Sequence, residues 1–195
     1  MFYGRKEELF ELNERYNSNR FEMGMVYGSR RIGKTSLLRE FVKDKRAIYF
    51  QAKESNELDN RTSFSYKVNE LLNIPYMYIY QTFSDAFDAL IKFAGNESFI
   101  IVIDEISFLA KSDKGFFSEL QYNIDHKFKE TKIKLILSGS SISFMKDIIK
   151  NKRGPLFQRS TFQMNIKKMF YSDALLFLEG IDKEDKAAEV YVERT

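Results

Sequence analysis

Short apolar runs alternate along this chain with longer segments in which apolar residues recur every three or four positions. The first pattern suits strands buried on both faces, the second suits helices with one buried face, and their alternation predicts a parallel sheet covered on both sides. The periodicity gives a helix at about 5–17, a strand at 21–27, a helix at 34–43 and a strand at 46–52. Helices near 60–73 and 83–94 follow, then the strand 98–103, a helix near 114–128, a strand at 133–137, a helix at 141–150 and a last strand near 161–166. No internal repeat or linker interrupts this order. Pro75 and Pro155 punctuate loops, and Tyr76-Met77-Tyr78-Ile79-Tyr80 reads as a packed loop or short strand rather than a sticky surface, since aromatic runs in globular domains usually serve the core.

Between the strand at 21–27 and the helix after it lies Gly28-Ser29-Arg30-Arg31-Ile32-Gly33-Lys34-Thr35, a complete phosphate-binding loop of the form G-x-x-x-x-G-K-[ST] in the strand–loop–helix setting that the motif requires. The glycines let the backbone turn tightly around an anion, and the amides from Gly33 through Ser36 add the positive end of the helix dipole. Lys34 would lie along the β- and γ-phosphates, and the Thr35 hydroxyl would complete the shell of a Mg²⁺ ion. The pure aliphatic run Ile100-Ile101-Val102-Ile103 opens into Asp104-Glu105, placing two carboxylates at the carboxyl edge of the sheet, where such folds bind ligands. Asp104 is the metal-holding candidate, and Glu105 the base for the attacking water.

Two further groups follow from position. Ser138 and Ser140 end the next strand and are candidates for touching the γ-phosphate or its water, although a turn that caps the following helix accounts for at least one of them. Arg153 and Arg159 flank Pro155, and an arginine there either stabilises the transferring phosphoryl group, in cis or in trans, or is a solvated surface residue. His126, the only histidine, reads as an exposed residue near a helix end. The nearest match to a guanine-reading Asn-Lys-x-Asp is Asn151-Lys152-Arg153-Gly154, which lacks the aspartate, so adenine is favoured.

Composition sharpens this in three respects. The 195 residues include 19 Phe and 11 Tyr, enough for a substantial core. There is no Cys, which excludes disulfides and thiolate metal sites. A net charge of +3 argues for neither nucleic acid nor membrane, and no apolar run is long enough to span a bilayer, so the chain reads as a soluble cytoplasmic protein.

The motifs together resemble the archaeal-type ATPase family, P-loop proteins of the AAA-related and STAND branch. Phe2-Tyr3-Gly4-Arg5-Lys6-Glu7-Glu8-Leu9 resembles the family's F-x-G-R-x-x-E-L opening, which implies that Gly4 and Arg5 lie near the adenine. The loop 28–35 is similar to G-R-R-R-I-G-K-T, Tyr49-Phe50 to the family's next strand, and Val102 to Ile106 to V-I-D-E-F. Leu137 to Met145 resembles L-C-G-S-S-I-S-x-M, and Pro155 to Thr161 resembles P-L-Y-G-R-R-T. In the last motif Gln158 stands for glycine and Ser160 for the second arginine, leaving Arg159 as the single matching finger.

The resemblance implies an α/β three-layer P-loop core over 1–170, with a parallel sheet ordered 5-1-4-3-2. A truncated helical lid would begin at 171–195, because the family usually continues into a lid, a winged helix and often a nuclease-like module. The implied function is Mg²⁺-dependent ATP binding with slow hydrolysis, resembling a molecular switch. A nucleotide-binding regulatory module without turnover, or a small-molecule kinase, are the alternatives. ATP and ADP are the implied ligands. An arginine acting in trans would go with a homo-oligomer, and nucleic acid would enter only by analogy with the family.

Overall fold

The computed structural model describes residues 4–168. Helix α1 (Lys6–Asn17) leads into β1 (Glu22–Tyr27), α2 (Lys34–Val42) and β2 (Ala47–Gln51). Two helices, α3 (Glu57–Leu71) and α4 (Phe83–Ala94), precede β3 (Phe99–Asp104), α5 (Ile106–Ser112) and α6 (Phe116–His126). A 3₁₀ turn at Phe128–Glu130 leads to β4 (Ile133–Gly139), α7 (Ile142–Lys150) and β5 (Phe162–Asn165). All pairings are parallel and the sheet order is β2-β3-β4-β1-β5, which is the expected 5-1-4-3-2 read from the other edge. The expected lid from 171 lies outside the described residues.

Alternation along each strand sorts the side chains into two apolar layers. Met23, Met25, Ile48, Phe50, Ile101, Ile103, Leu135 and Leu137 pack with Phe64, Phe83, Phe87, Phe116 and Phe128, on the side covered by α3 to α7. Val26, Ile100, Val102, Ile136 and Met164 pack with Leu12, Leu37, Leu38 and Phe41, on the side covered by α1 and α2. The middle strands β1, β3 and β4 are buried along their whole length, which explains the pure apolar run of β3 up to Asp104 and the few polar residues of the other two.

Three boundaries differ from the sequence reading. α5 is an additional helix, too short for a 3.6-residue period to declare itself, and it starts from Glu105 in a left-handed conformation. α3 starts three residues early because the Asn56 side chain accepts from the Asp59 amide and caps it. β4 runs on through Ser138 and Gly139, which pair with Val26 and Tyr27. The aromatic segment is a loop, but not a packed one: Tyr76, Met77, Tyr78 and Ile79 are exposed and only Tyr80 is buried. What fixes it is backbone bonding to α3, with Asn69 donating to the Tyr78 carbonyl and the Tyr80 amide donating to Ser65 Oγ. His126 ends α6 and is exposed, as expected. Among the described residues no helix is long and apolar enough to cross a membrane.

One buried cation ties down the edge of the sheet opposite the phosphate loop. Lys134 on β4 is 2% exposed, and its ammonium donates to the carbonyls of Ser18, Arg20 and Lys132, closing the α1–β1 connection. Burial pushes its pKa down to about 8, against the pull of the nearby Glu22 carboxylate. Lys134→Met removes the donor from three carbonyls and is expected to cost about 1–3 kcal/mol, read as a lower midpoint in urea. The proton balance gives a second signature. The folded lysine releases its proton near pH 8 while the unfolded one keeps it to about 10.5. The parent therefore gains stability relative to Lys134→Met as pH rises through that window, and loses the gain as pH falls through 8. A pH-independent difference between the two proteins would contradict this.

Candidate nucleotide-binding site

The loop between β1 and α2 is shaped by two glycines with different tasks. The β1–β5 ladder continues past the strand end, the Ile166 amide donating to the Tyr27 carbonyl at 2.7 Å, so the chain at Gly28 passes directly beneath β5. A Cβ on Gly28 would lie 2.3 Å from the Ile166 carbonyl oxygen and 2.5 Å from Ile32 Cδ1. Gly33 has φ +89°, caps α2 without any side-chain bond, and has nothing within 4 Å of where a Cβ would be. Gly33, Lys34, Thr35 and Ser36 at the start of α2 line an open cleft, and the first turn of a helix is where an anion is received.

Lys34 is nearly buried and folds back on the loop, its ammonium 2.8 Å from both the Gly28 and the Ser29 carbonyl oxygens. Burial holds its pKa below the usual lysine range, opposed by the charges of Glu105 and Asp104. Thr35 Oγ1 donates to Asp104 Oδ2 at 2.8 Å, so the hydroxyl and the carboxylate expected to share a metal do meet. Asp104 is fully buried, and its other oxygen accepts the Glu105 amide at 3.0 Å. Glu105 itself sits at φ 54°, and its Oε2 accepts from Ser140 Oγ at 2.9 Å and from the Ser140 amide at 3.3 Å. Of the two serines, Ser140 therefore holds the candidate base. Ser138 is fully buried with no partner for its hydroxyl.

These groups border a cleft of about 600 Å³. Arg30, Arg31, Gly33, Lys34, Thr35 and Ser36 line it from the loop and α2, and Gln51, Glu54, Glu105 and Phe108 line it from the carboxyl ends of β2 and β3. One hydroxyl beside one carboxylate fits Mg²⁺, which is held through a few protein oxygens together with phosphates and waters. The start of α2 and the basic side chains of Arg30, Arg31 and Lys34 in the lining fit a ligand rich in anionic oxygen.

The other predicted residues lie elsewhere. Neither Gly4 nor Arg5 lines the cleft. Arg5 is 6% exposed and donates to Glu8, to the Ile32 carbonyl at 2.8 Å and to the Lys167 carbonyl at 2.7 Å, bracing the loop from behind against α1 and the chain after β5. Arg159 forms a fork on Asp125 of α6, with Nη2 2.6 Å from Oδ2 and Nε 3.1 Å from Oδ1. It lines a separate cleft with Ser118, Gln121, Lys152 and Arg153, so the structure does not bring it to the phosphate loop. Gln158, which replaces the family's glycine, has φ 58°; the glycine there matches a left-handed backbone that Gln158 adopts under strain.

Sequence reasoning missed one member of the cluster. The Tyr49 hydroxyl on β2 donates to Asp104 Oδ2 at 2.6 Å, and burial followed by the Asp104 charge raises its pKa well above that of an ordinary tyrosine. Only the β2–β3 register, which sets Gln51 beside Asp104, brings it there. No local motif announces that pairing.

The chain belongs to the ATPase domain family found predominantly in Archaea, whose family model matches residues 2–191. It is 36% identical over 169 residues to an uncharacterized protein of Methanocaldococcus jannaschii, and spans 36% of that protein's length. A second similarity, 44% over 46 residues, is to an uncharacterized ATP-binding protein of the same organism. Among solved structures, a Walker-type ATPase of Pyrococcus abyssi superposes with a TM-score of 0.70 at 20% identity, covering 91% of this chain and 57% of that one. The ORC1 protein of Aeropyrum pernix, solved in complex with DNA, gives 0.66 at 17% identity over 92% of this chain and 49% of that one. At those identities the likeness is one of fold, and the site is argued from its own residues.

The Arg159 fork makes a stability prediction. Hydrogen bonding from Arg159 keeps the Asp125 carboxyl below its ordinary range, with Lys129 adding to the effect. A depressed carboxylate pKa stabilises the fold above the unfolded value of about 4 and loses that contribution as pH falls through the folded value. Arg159→Ala is therefore expected to lower stability by no more than about 1 kcal/mol near neutrality, because the pair is partly solvated. The deficit should shrink below pH 4 in chemical denaturation. An equal deficit at all pH values would show that the arginine stabilises through something other than this pair.

Proposed function

We propose that this P-loop ATPase domain binds ATP with Mg²⁺ in the cleft above the phosphate loop and hydrolyses it slowly, as a molecular switch. The observation that carries the reading is the convergence of Thr35, Asp104, Glu105 and Lys34 at one mouth of the sheet. Lys34 exchanges the Gly28 and Ser29 carbonyls for phosphate oxygens, a substitution that keeps its charge paired. Thr35 Oγ1 and Asp104 would hold the metal, which when bound would supply positive charge to offset the charge that develops on the phosphate oxygens. Glu105 has one oxygen fixed by Ser140, leaving Oε1 to take a proton from the attacking water. Ser138 supplies a hydroxyl for a phosphate oxygen or a bound water. The absent Asn-Lys-x-Asp pattern supports adenine over guanine.

Binding without appreciable turnover is the second reading. It is favoured by the ties that Glu105 and Arg159 make in this structure, to Ser140 and to Asp125 respectively. An arginine finger would require Arg159 to leave Asp125 and reach a nucleotide on another copy of the chain, so slow turnover in dilute solution fits both readings. The DNA seen with the Aeropyrum protein extends to this chain only as an analogy of fold.

Two experiments test the proposal. A ligand at 100 times its Kd adds about 2.7 kcal/mol to the folded state, which for a domain this size is a rise of roughly 5–10 °C in Tm. Mg-ATP should produce that rise, GTP a smaller one, and Lys34→Ala should lose most of it; an unchanged melting curve for the parent would remove the basis for the proposal. Glu105→Gln keeps shape but accepts no proton, so single-turnover hydrolysis should fall by roughly 10²–10⁴ with ATP affinity nearly constant. Hydrolysis at the parental rate would show that another group activates the water.

A further inference from the structure

Asp104 Oδ2 carries two hydrogen bonds at once, from Thr35 Oγ1 at 2.8 Å and from Tyr49 Oη at 2.6 Å. Two strong donors fill the lone pairs of one carboxylate oxygen. The second oxygen accepts the Glu105 amide, and with Asp104 fully buried, bulk water offers no further donor. The tyrosine is placed for this contact by its strand. Ile48 and Phe50 on either side of it enter the core under α3 and α4, so Tyr49 faces α2. Its ring is clasped there by the Arg39 guanidinium, 5.4 Å from the ring centroid and one turn beyond Thr35 on the same helix.

Loading the site changes what Oδ2 must accept. Thr35 can turn a lone pair toward a cation while its proton stays on Asp104. A carboxylate that holds a hydrated cation through its water shell must also accept a water proton, and Oδ2 has no room for a third donor. Tyr49 is the donor that can leave: Thr35 lies in the cleft lining beside Lys34, whereas the Tyr49 hydroxyl, which also neighbours Thr35, reaches Asp104 from β2 and is not part of that lining.

We propose that Tyr49 is a placeholder: its hydroxyl occupies, on Asp104 Oδ2, the hydrogen bond that a metal-bound water takes in the loaded site, and it thereby sets the Mg²⁺ concentration at which the site fills. The inference rests on the Mg-ATP reading above. The Tyr49 bond to the buried Asp104 carboxylate is short, and metal entry would work against its loss. Tyr49 therefore raises the metal threshold.

The test is Tyr49→Phe, which keeps the ring beneath Arg39 and removes only the hydroxyl. Mg²⁺ is titrated calorimetrically into protein saturated with a slowly hydrolysed ATP analogue. The variant should bind Mg²⁺ about tenfold more tightly, the scale of one hydrogen bond to a charged group, while its nucleotide-free form melts a few degrees lower. A second measurement uses the parent alone, so the inference stands or falls even where the variant does not fold. The chain has no Trp, so the red edge of the tyrosine absorption band, beyond the adenine absorption, should shift to the blue on Mg²⁺ addition as one phenol releases its carboxylate. Unchanged or weaker Mg²⁺ binding by the variant, or a parental spectrum indifferent to Mg²⁺, overturns the placeholder role and leaves the Mg-ATP reading intact. Nucleotide binding by the parent that is independent of Mg²⁺ overturns that reading and this inference together.

Discussion

The structure of the site depends on one constraint, a carboxylate that is buried completely at the end of the central strand β3. An ionised group without contact with water must be matched by donors, and removing one of them from such a group is commonly worth several kcal/mol. Asp104 is matched by α2 through Thr35, by β2 through Tyr49 and by its own chain through the Glu105 amide. Those donors fix the start of α2 against the sheet, hold β2 in register with β3, and turn the chain sharply into α5. The left-handed conformation of Glu105 is part of the same turn and points its carboxylate toward Ser140.

The phosphate loop is held just as firmly from behind. Arg5 joins the loop carbonyl of Ile32 to that of Lys167, and Gly28 allows the chain to pass beneath Ile166, so β5 and α1 form the loop's rear wall. Inside, Lys34 satisfies two loop carbonyls. Lys34 is thus paired in a way that an arriving ligand could replace, and the start of α2 lines the cleft.

Much of this was legible in the residues. The alternation of strand and helix patterns pointed to a parallel sheet covered on both faces, and the resemblance to the family supplied the sheet order. Gly28 to Thr35 match a motif of fixed spacing and Asp104-Glu105 end an apolar run, and the fold brings the two together. What was not legible depends on neighbours distant in sequence. Tyr49 acts through a register that its own segment does not encode. Arg159 pairs with Asp125, 34 residues away, and that pairing follows from the packing of α6 against the turn after α7. Arg5 matched a motif associated with adenine, but its three bonds run to Glu8 and two backbone carbonyls. The Tyr76–Ile79 run was expected inside because aromatic residues usually are; two backbone contacts with α3 suffice to hold it on the surface.

The central claim is that Lys34 and Thr35 bind phosphate and metal, Lys34 by exchanging the carbonyl bonds seen here and Thr35 by keeping its bond to Asp104. A crystal structure with Mg²⁺ and a slowly hydrolysed ATP analogue tests it most directly. The account predicts that Lys34 Nζ has left the Gly28 and Ser29 carbonyls for the β- and γ-phosphates, with Thr35 and Asp104 still joined beside the cation. An analogue bound elsewhere, or bound in the cleft with Lys34 still on those carbonyls, would contradict it.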